Sequence, residues 1–391
     1  MPTKVLDLEF DAIPEAITGL EAYDRAMVLV RIGGRPVERV YVPVEAGKII
    51  RDNLRSAIVR NAGRVFWEYF LREIIACPAE DAWVGQPPEA TVAICTRDRP
   101  NDLLRCLEAL THICNEQQEI LVIDSCSSRP DTYEVVQKFP TIRYVREEKP
   151  GLNRARNRAL LEAHNEIIAF IDDDTVPVAG WLDAIRRNFC HANALCVTGL
   201  TMPLELETEA QEAFENYTPF GRGFVHKIFR WNNLNLLSSG LVGAGANMAL
   251  RRSVLELVGP FDIALDGGTP ALSGGDSEMF ARILAAGYWI VYEPAALIWH
   301  RHRRSWKELR KTMYGYGAGW YAWWARKLLF EGELSVVPIA LYWFLVGQLP
   351  LAVRSLFRRE NAPSFDLILL EILGCISGPW LYLKSRRINP Q

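Results

Sequence analysis

Short runs of consecutive apolar residues, each closed by a polar cluster, organise the middle of the chain. ATVAIC (90–95), EILVID (119–124), IRYV (142–145) and EIIAFID (166–172) are four such runs, separated by segments of helical periodicity near 101–113, 131–138 and 153–163. Continuous apolar strands alternating with helices predict an α/β domain, a mostly parallel sheet covered on both faces. In such sheets ligands bind beyond the carboxyl ends of the strands, so the residues that follow each run are the candidates for chemistry. Upstream, 26–44 divides into AMVLVRI and PVERVYVPV around Gly33-Gly34, the pattern of a hairpin. Residues 48–76 carry Ile49, Ile50, Leu54, Ile58 and Val59 at helical spacing. These segments predict a small N-terminal α+β unit over 1–88, without chemistry of its own, joined through the Pro/Gly-containing stretch 84–88 to a central domain over 89–310.

The last part, 311–391, predicts a helical region of a different kind. Residues 334–353 contain no charge, and their length nominally spans a bilayer. Pro338, Gly347, Gln348 and Pro350 weaken that reading. A second apolar stretch, 367–383, contains Glu371 and is followed by Lys384, Arg386 and Arg387, while Arg354, Arg358 and Arg359 lie between the two. Spanning by both would leave a basic loop outside, against the positive-inside tendency. Interfacial or re-entrant helices at the cytoplasmic face of a membrane fit the charges better, and packing on the central domain is the alternative. The segment 314–330, rich in Trp and Tyr, suits a membrane interface.

Composition narrows the classes. The chain has 391 residues, 49% hydrophobic and 23% charged, which is globular and long enough for two or three units. A formal net charge of -3 provides no general basic field for nucleic acid. The first residues lack the basic and apolar regions of a secretory signal. Eight cysteines without a CxxC pair, several inside apolar runs, predict reduced buried thiols in a cytosolic protein.

Three polar loops converge on one edge of the expected sheet: Thr96-Arg97-Asp98-Arg99-Pro100, Asp124-Ser125-Cys126-Ser127-Ser128 and Asp172-Asp173-Asp174. Three adjacent carboxylates repel unless a cation neutralises them, and a hard divalent ion accepts such oxygens while leaving positions for phosphate oxygens. Lys149-Pro150-Gly151 precedes a helix whose start offers amide donors to an anion; of Arg154, Arg156 and Arg158, Arg156 is the choice for the ligand side and the other two fit a solvated face. Asp276, after Leu272-Ser273-Gly274-Gly275, is either a helix cap or a general base. His300 ends a strand and opens a cationic run with His302 and Arg301, Arg303, Arg304 and Arg310; it is a candidate for ligating the metal or contacting a diphosphate.

VAICTRDRP, LVIDSCSS, KPGLNRARNRAL, AFIDDDTVP, GAGANMALRR and SGGDSEMFARILAAGY, in this order over about 91–310, together resemble the family 2 glycosyltransferases of the GT-A fold. The resemblance implies that Thr96 and Asp124 hold the nucleoside, with Asp124 near the base. It implies that Asp172 and Asp174 form a DxD pair contacting donor and metal, Mn or Mg. Asp276 would be the base of an inverting single displacement. With the residues read above, the candidate donor-binding set is Thr96, Arg97, Asp124, Arg156, Asp172 and Asp173, and the candidate metal ligands are Asp172, Asp174 and His300. One departure stands out: the family often carries Glu-Asp at its last motif, and Gly275 occupies the Glu position here, with Glu278 as the residue available to compensate. No QxxRW sequence of the processive synthases is present. The expected activity is transfer of one hexosyl unit from a nucleotide-diphospho-sugar to a hydroxyl of a glycan, lipid-linked or other acceptor in cell-envelope synthesis, at the cytoplasmic face of the inner membrane. A nucleotidyltransferase would carry a glycine-rich basic loop after the first strand, which TRDRPNDLL lacks; a non-catalytic nucleotide-sugar-binding scaffold is the other alternative, kept open by Gly275.

Overall fold

The computed structural model describes residues 2–75, 85–115, 117–357 and 362–389. Val84 of the expected linker, the last residue of the expected helix 48–76, Cys77, Arg358 and Arg359 fall outside the described residues.

The N-terminal unit contains strands β1 (Thr3–Glu9), β2 (Ala16–Ile17), β3 (Arg25–Ile32), β4 (Arg35–Pro43) and β5 (Ile49–Ile50), then helices α1 (Arg51–Asn61) and α2 (Arg64–Ile74). β3 and β4 form the expected antiparallel hairpin, and Gly33 and Gly34 both take positive φ at its turn. β1, not expected, runs parallel to β3. The expected single helix is two, because the chain becomes extended at Gly63, the N-cap of α2. Alternation along β3 gives the sheet two buried faces. Ala26, Val28, Val30 and Ile32 pack with residues of the two helices, Leu54, Ile58 and Phe66. Met27 and Leu29 pack on the central domain with Leu200, Met202, Tyr292 and Trp299.

The central domain runs β6 (Ala90–Thr96), α3 (Pro100–Ile113), β7 (Ile120–Ser125), α4 (Asp131–Val136), β8 (Ile142–Glu147), α5 (Leu152–Glu162), β9 (Ile167–Asp172), β10 (Thr175–Pro177), α6 (Trp181–Asn188), β11 (Ala194–Pro203), α7 (Glu209–Tyr217), β12 (Lys227–Phe229), β13 (Asn247–Arg251), α8 (Val254–Leu257), α9 (Gly275–Ala285) and β14 (Trp289–His300). Its sheet has the order β10-β14-β11-β13-β9-β6-β7-β8, with β12 beside β14. The four strands read from apolar runs are mutually parallel. Beyond them β13 enters antiparallel between β9 and β11, so the sheet as a whole is mixed. Residues from α3, α4 and α6 bury one face around Leu107, Val136 and Trp181. Those of α5, α8 and α9 bury the other around Leu160, Val254 and Phe280. The seven described cysteines are unpaired.

A capping box between Ser305 and Glu308 starts α10 (Trp306–Glu331). α11 (Val336–Tyr342) and α12 (Leu349–Leu356) join through a π-helical turn at Trp343–Gln348, and α13 (Phe365–Ile388) follows. The prolines do not break this first apolar helix. Pro338 sits in its first turn, where an N–H has no intrahelical partner, and the π turn precedes Pro350. α10 and α13 pack backbone to backbone through glycine. A Cβ at Gly317 would lie 2.0 Å from Glu371 O, and one at Gly374 2.1 Å from Tyr314 O. Glu371, inside the apolar stretch, accepts hydrogen bonds from Tyr217 and from Gln348.

Candidate active site

The carboxyl ends of β6 and β9 place Thr96 next to the aspartate triplet. Thr96 Oγ1 donates to Asp173 Oδ2 at 2.7 Å, and Arg99 Nη1 donates to Asp173 Oδ1 at 3.1 Å and Asp174 Oδ2 at 3.2 Å. Arg303 Nη1 adds 3.0 Å to the same Asp174 oxygen. Both Asp173 oxygens are thus taken by protein donors, and its burial raises its pKa. Burial and the neighbouring Asp174 raise that of Asp172. Asp174 is held low against its own burial by the guanidinium charges of Arg303 and Arg99.

Asp172, Asp174 and His300 bring one ligand atom each within 4.8 Å of one another. The neighbours of His300 specify its tautomer. Glu215 Oε2 lies 3.2 Å from His302 Nε2, so that nitrogen carries the proton, and His302 Nδ1 is left to accept from His300 Nδ1 at 3.1 Å. His300 Nε2 is then a bare lone pair, 3.3 Å from Asp174 Oδ1, which is buried and has no hydrogen-bond partner. Burial keeps this imidazole neutral by driving its pKa down to about 3. Two acceptors facing each other without a proton between them fit a bound cation. Arg39 of β4 donates to the other Glu215 oxygen at 2.5 Å, so the N-terminal unit reaches the outer end of this chain of contacts.

Asp172 is shared by two clefts. One, of about 350 Å³, is lined by Thr96, Arg97, Arg99, Ser125, Gly151, Asp173 and Arg303. The other, of about 220 Å³, is lined by Arg156, Arg222, the 243–246 loop, Asp266, Asp276, Tyr316 and Trp320. Arg97 is on the first cleft and half exposed. Asp124 lines neither cleft. It is buried, with Oδ1 accepting from Ser127 N at 2.8 Å and Oδ2 from Tyr144 at 2.6 Å. Arg156 does turn inward as expected, but to Asp266 at 2.6 Å. Arg154 and Arg158 point elsewhere, to Asn389 and Glu162.

Asp276 stands in the first turn of α9, its carboxylate in the second cleft and accepting from Gly245 N at 2.9 Å and Ser277 N at 2.7 Å. The N-cap of α9 is Gly274, with φ 96°; a Cβ there would meet Gly319 O of α10 at 2.7 Å. α10 therefore lies directly on this loop, and its Tyr316, Trp320 and Trp323 complete the cleft. At Gly275 a Cβ would lie 2.3 Å from Asn153 Nδ2 and 2.7 Å from Asp266 Oδ2, so a side chain there would have to displace both of these hydrogen-bonded groups. The carboxylate beside that position is Asp266, at φ 77° and unmarked in the sequence except by the Asp-Gly-Gly turn that holds it. Glu278 does not compensate: it is fully buried and paired with Arg282 at 2.7 Å and Arg326 at 3.0 Å. Sequence reasoning also missed Glu215 and Arg222, isolated polar residues in segments without a recognisable motif.

A nine-stranded mixed sheet with an acid cluster at the ends of its parallel strands and two adjoining clefts is the architecture of the GT-A fold. Residues 91–259 match the model described as glycosyl transferase family 2. The chain is similar to a mannosyltransferase of Pyrobaculum calidifontis solved in complex with GDP-Man and Mn2+, with TM-score 0.53 and 15% identity over 80% of this chain and 94% of that one. It is 26% identical to glycosyltransferase AglE of Haloferax volcanii over 67% of this chain and 82% of that protein. It is also 26% identical to the pre-mycofactocin glycosyltransferase of Mycobacterium tuberculosis over 58% of this chain and 46% of that protein.

Proposed function

We propose that the chain binds a nucleotide-diphospho-sugar in the 350 Å³ cleft and transfers one sugar, with inversion, to a hydroxyl of an acceptor in the adjoining cleft. What supports this reading is the position of Asp172 on both clefts, with Asp276 on the second and the buried Asp174–His300 pair beside Asp172, behind the cleft walls. Asp172, Asp174 and His300 would hold a divalent ion, Mn or Mg, which neutralises charge on a leaving diphosphate. Arg99 and Arg303 balance the remaining aspartate charge and line the donor cleft, with Thr96 and Arg97 beside them. Asp124 supports the loop 125–128 from beneath rather than from the cleft wall. Asp276 is the general base. As the acceptor oxygen bonds to the anomeric carbon and the bond to the diphosphate oxygen breaks, the hydroxyl proton passes to the Asp276 carboxylate.

We place the work at a membrane surface. Val336–Leu356 and Phe365–Ile388 are long and apolar enough to cross a bilayer by length and composition, with mean hydropathies of 1.9 and 1.5, and 11% and 33% of their most apolar windows buried. Basic residues Arg354, Lys384, Arg386 and Arg387 at their ends suit the cytoplasmic leaflet and an envelope glycan or lipid-linked acceptor. Calorimetry with GDP and with UDP, each with and without Mn, tests the donor half. Binding of neither, with the protein folded, would refute it.

A further inference from the structure

The second cleft holds two N–H donors that the protein leaves unanswered. Arg222 lines it, and its Nε is buried without a partner. Only two of the five guanidinium N–H groups reach acceptors, Nη1 on Pro219 O at 2.7 Å and Nη2 on Gly240 O at 3.3 Å, both neutral carbonyls. Trp323, on the same cleft, is fully buried and its Nε1 has no partner either. An orphaned buried donor costs stability, so two among the residues of one cleft point to an acceptor supplied from outside.

The neighbouring carboxylates do not supply it. Asp266 is taken by Arg156. Asp172 belongs to the acid cluster. Asp276 accepts from Gly245 and Ser277. Among the described residues Arg222 has no ion pair, although burial disfavours its charge. Phe220, Tyr316 and Trp320 contribute rings to the same cleft. A guanidinium in such a setting binds carboxylate or phosphate oxygens strongly, because little water competes.

We propose that Arg222, with Trp323 Nε1, binds an anionic substituent of the acceptor, a carboxylate or a phosphate, while the rings of Tyr316 and Trp320 cover the acceptor's apolar face. This rests on the reading of the second cleft as the acceptor's. It narrows the acceptor to an acidic sugar or a phosphorylated carrier and makes Arg222 the residue that selects it.

The test uses the full chain with its donor site saturated by nucleoside diphosphate and Mn, whose own titration, done first, reports on the donor proposal separately. Methyl β-glucuronide, glycerol 3-phosphate and neutral methyl β-glucoside are then titrated by calorimetry, and the tighter of the two anions identifies the group. We expect at least one anion to bind about tenfold or more tightly than the glucoside, as a charge-assisted contact implies. Arg222→Gln should abolish that preference and Arg222→Lys restore part of it, with nucleotide affinity unchanged in both. Equal binding of glucoside and anions, no binding of either anion, or a preference that survives in Arg222→Gln overturns the inference.

Discussion

Glu215 Oε2 lies 3.2 Å from Nε2 of His302, and that contact bears on which nitrogen of His300 carries the proton, Nδ1 toward His302 or Nε2 toward Asp174. Glu215 does not touch the triad, and His302 touches it only through His300 Nδ1, at 3.1 Å. They act by leaving His300 Nε2 without a proton, opposite an aspartate oxygen that also lacks one. The role is one of orientation, as for groups that back a metal-ligating histidine.

His302→Phe should therefore weaken Mn affinity. The ring fits among Phe214 and Phe220, which already pack on His302, so the fold should survive. Loss of such a backing group costs about 10–100-fold in affinity. Arg39→Met, two contacts further out, should cost less. Calorimetric titration of Mn in the presence of nucleotide measures both; an unchanged constant in His302→Phe would remove His300 from the metal site.

Asp276→Asn should leave Mn and nucleotide affinity intact while turnover falls by about 10²–10⁴, the usual worth of a general base. The amide oxygen still accepts from a backbone N–H, so Gly245 or Ser277 keeps a partner. Near-normal turnover would reject Asp276 as the base. Suspicion would then fall on Asp266, which lines the same cleft, and not on Glu278.

Glu278→Ala should destabilise without touching donor binding. Its carboxylate joins Arg282 of α9 to Arg326 of α10, and Arg326 also reaches Asp262 at 3.1 Å. Removing one partner of a buried pair costs about 3–5 kcal/mol. Denaturant unfolding measures the loss, and a change below about 1 kcal/mol would show the pair to be dispensable.

Without metal, the aspartate cluster should make stability fall as pH rises. The fold raises the pKa of Asp172 and of Asp173, in both cases first by burial. A group with a raised folded pKa favours the fold while protonated, and that contribution is lost as pH climbs from the unfolded value toward the folded one. The windows end near pH 7 for Asp172 and near pH 6 for Asp173. Chelator-treated protein should melt lower at pH 8 than at pH 6, and Mn should raise the melting temperature more at pH 8. A Tm rise from pH 6 to pH 8 in the chelated protein would contradict the assignment.

Legibility in the sequence followed the physics of each element. β6, β7 and β9 are buried on both faces, so their apolar runs announce them, as the shorter run IRYV announces the partly buried edge strand β8, and the polar residues at their ends follow from strand direction. Asp172, Asp174 and His300 were visible for that reason, since each ends or follows a strand. β11, ten buried residues long, was missed because ALCVTGLTMP mixes Gly, Thr and Pro into the run. Glu215, Arg222 and Asp266 reach the site through tertiary packing, which no local spacing encodes. Gly275 was read as a missing acid; its reason is the space already filled by Asn153 and Asp266.

The membrane reading makes the last prediction. Leu341, Tyr342, Leu345, Val346 and Phe357 are exposed on one apolar segment and Ile376 and Trp380 on the other. An apolar side chain left in water forgoes about 1.5–3 kcal/mol of burial, so a row of them on two neighbouring helices favours a lipid surface. α13 is also fastened to the catalytic body, through glycine contacts with α10 and through Tyr382, which donates to Asp262 at 2.8 Å. Attachment to a membrane would thus hold the acceptor cleft, roofed by α10, at a fixed place relative to that surface. The intact chain should sediment with membranes. Extraction by a high-pH wash would identify interfacial attachment, and retention a span. Leu345→Glu with Ile376→Glu should shift the protein to the soluble fraction while nucleotide affinity stays unchanged, because neither residue lines either cleft. An intact chain found wholly in the soluble fraction would refute membrane attachment and leave these helices as a surface for another protein.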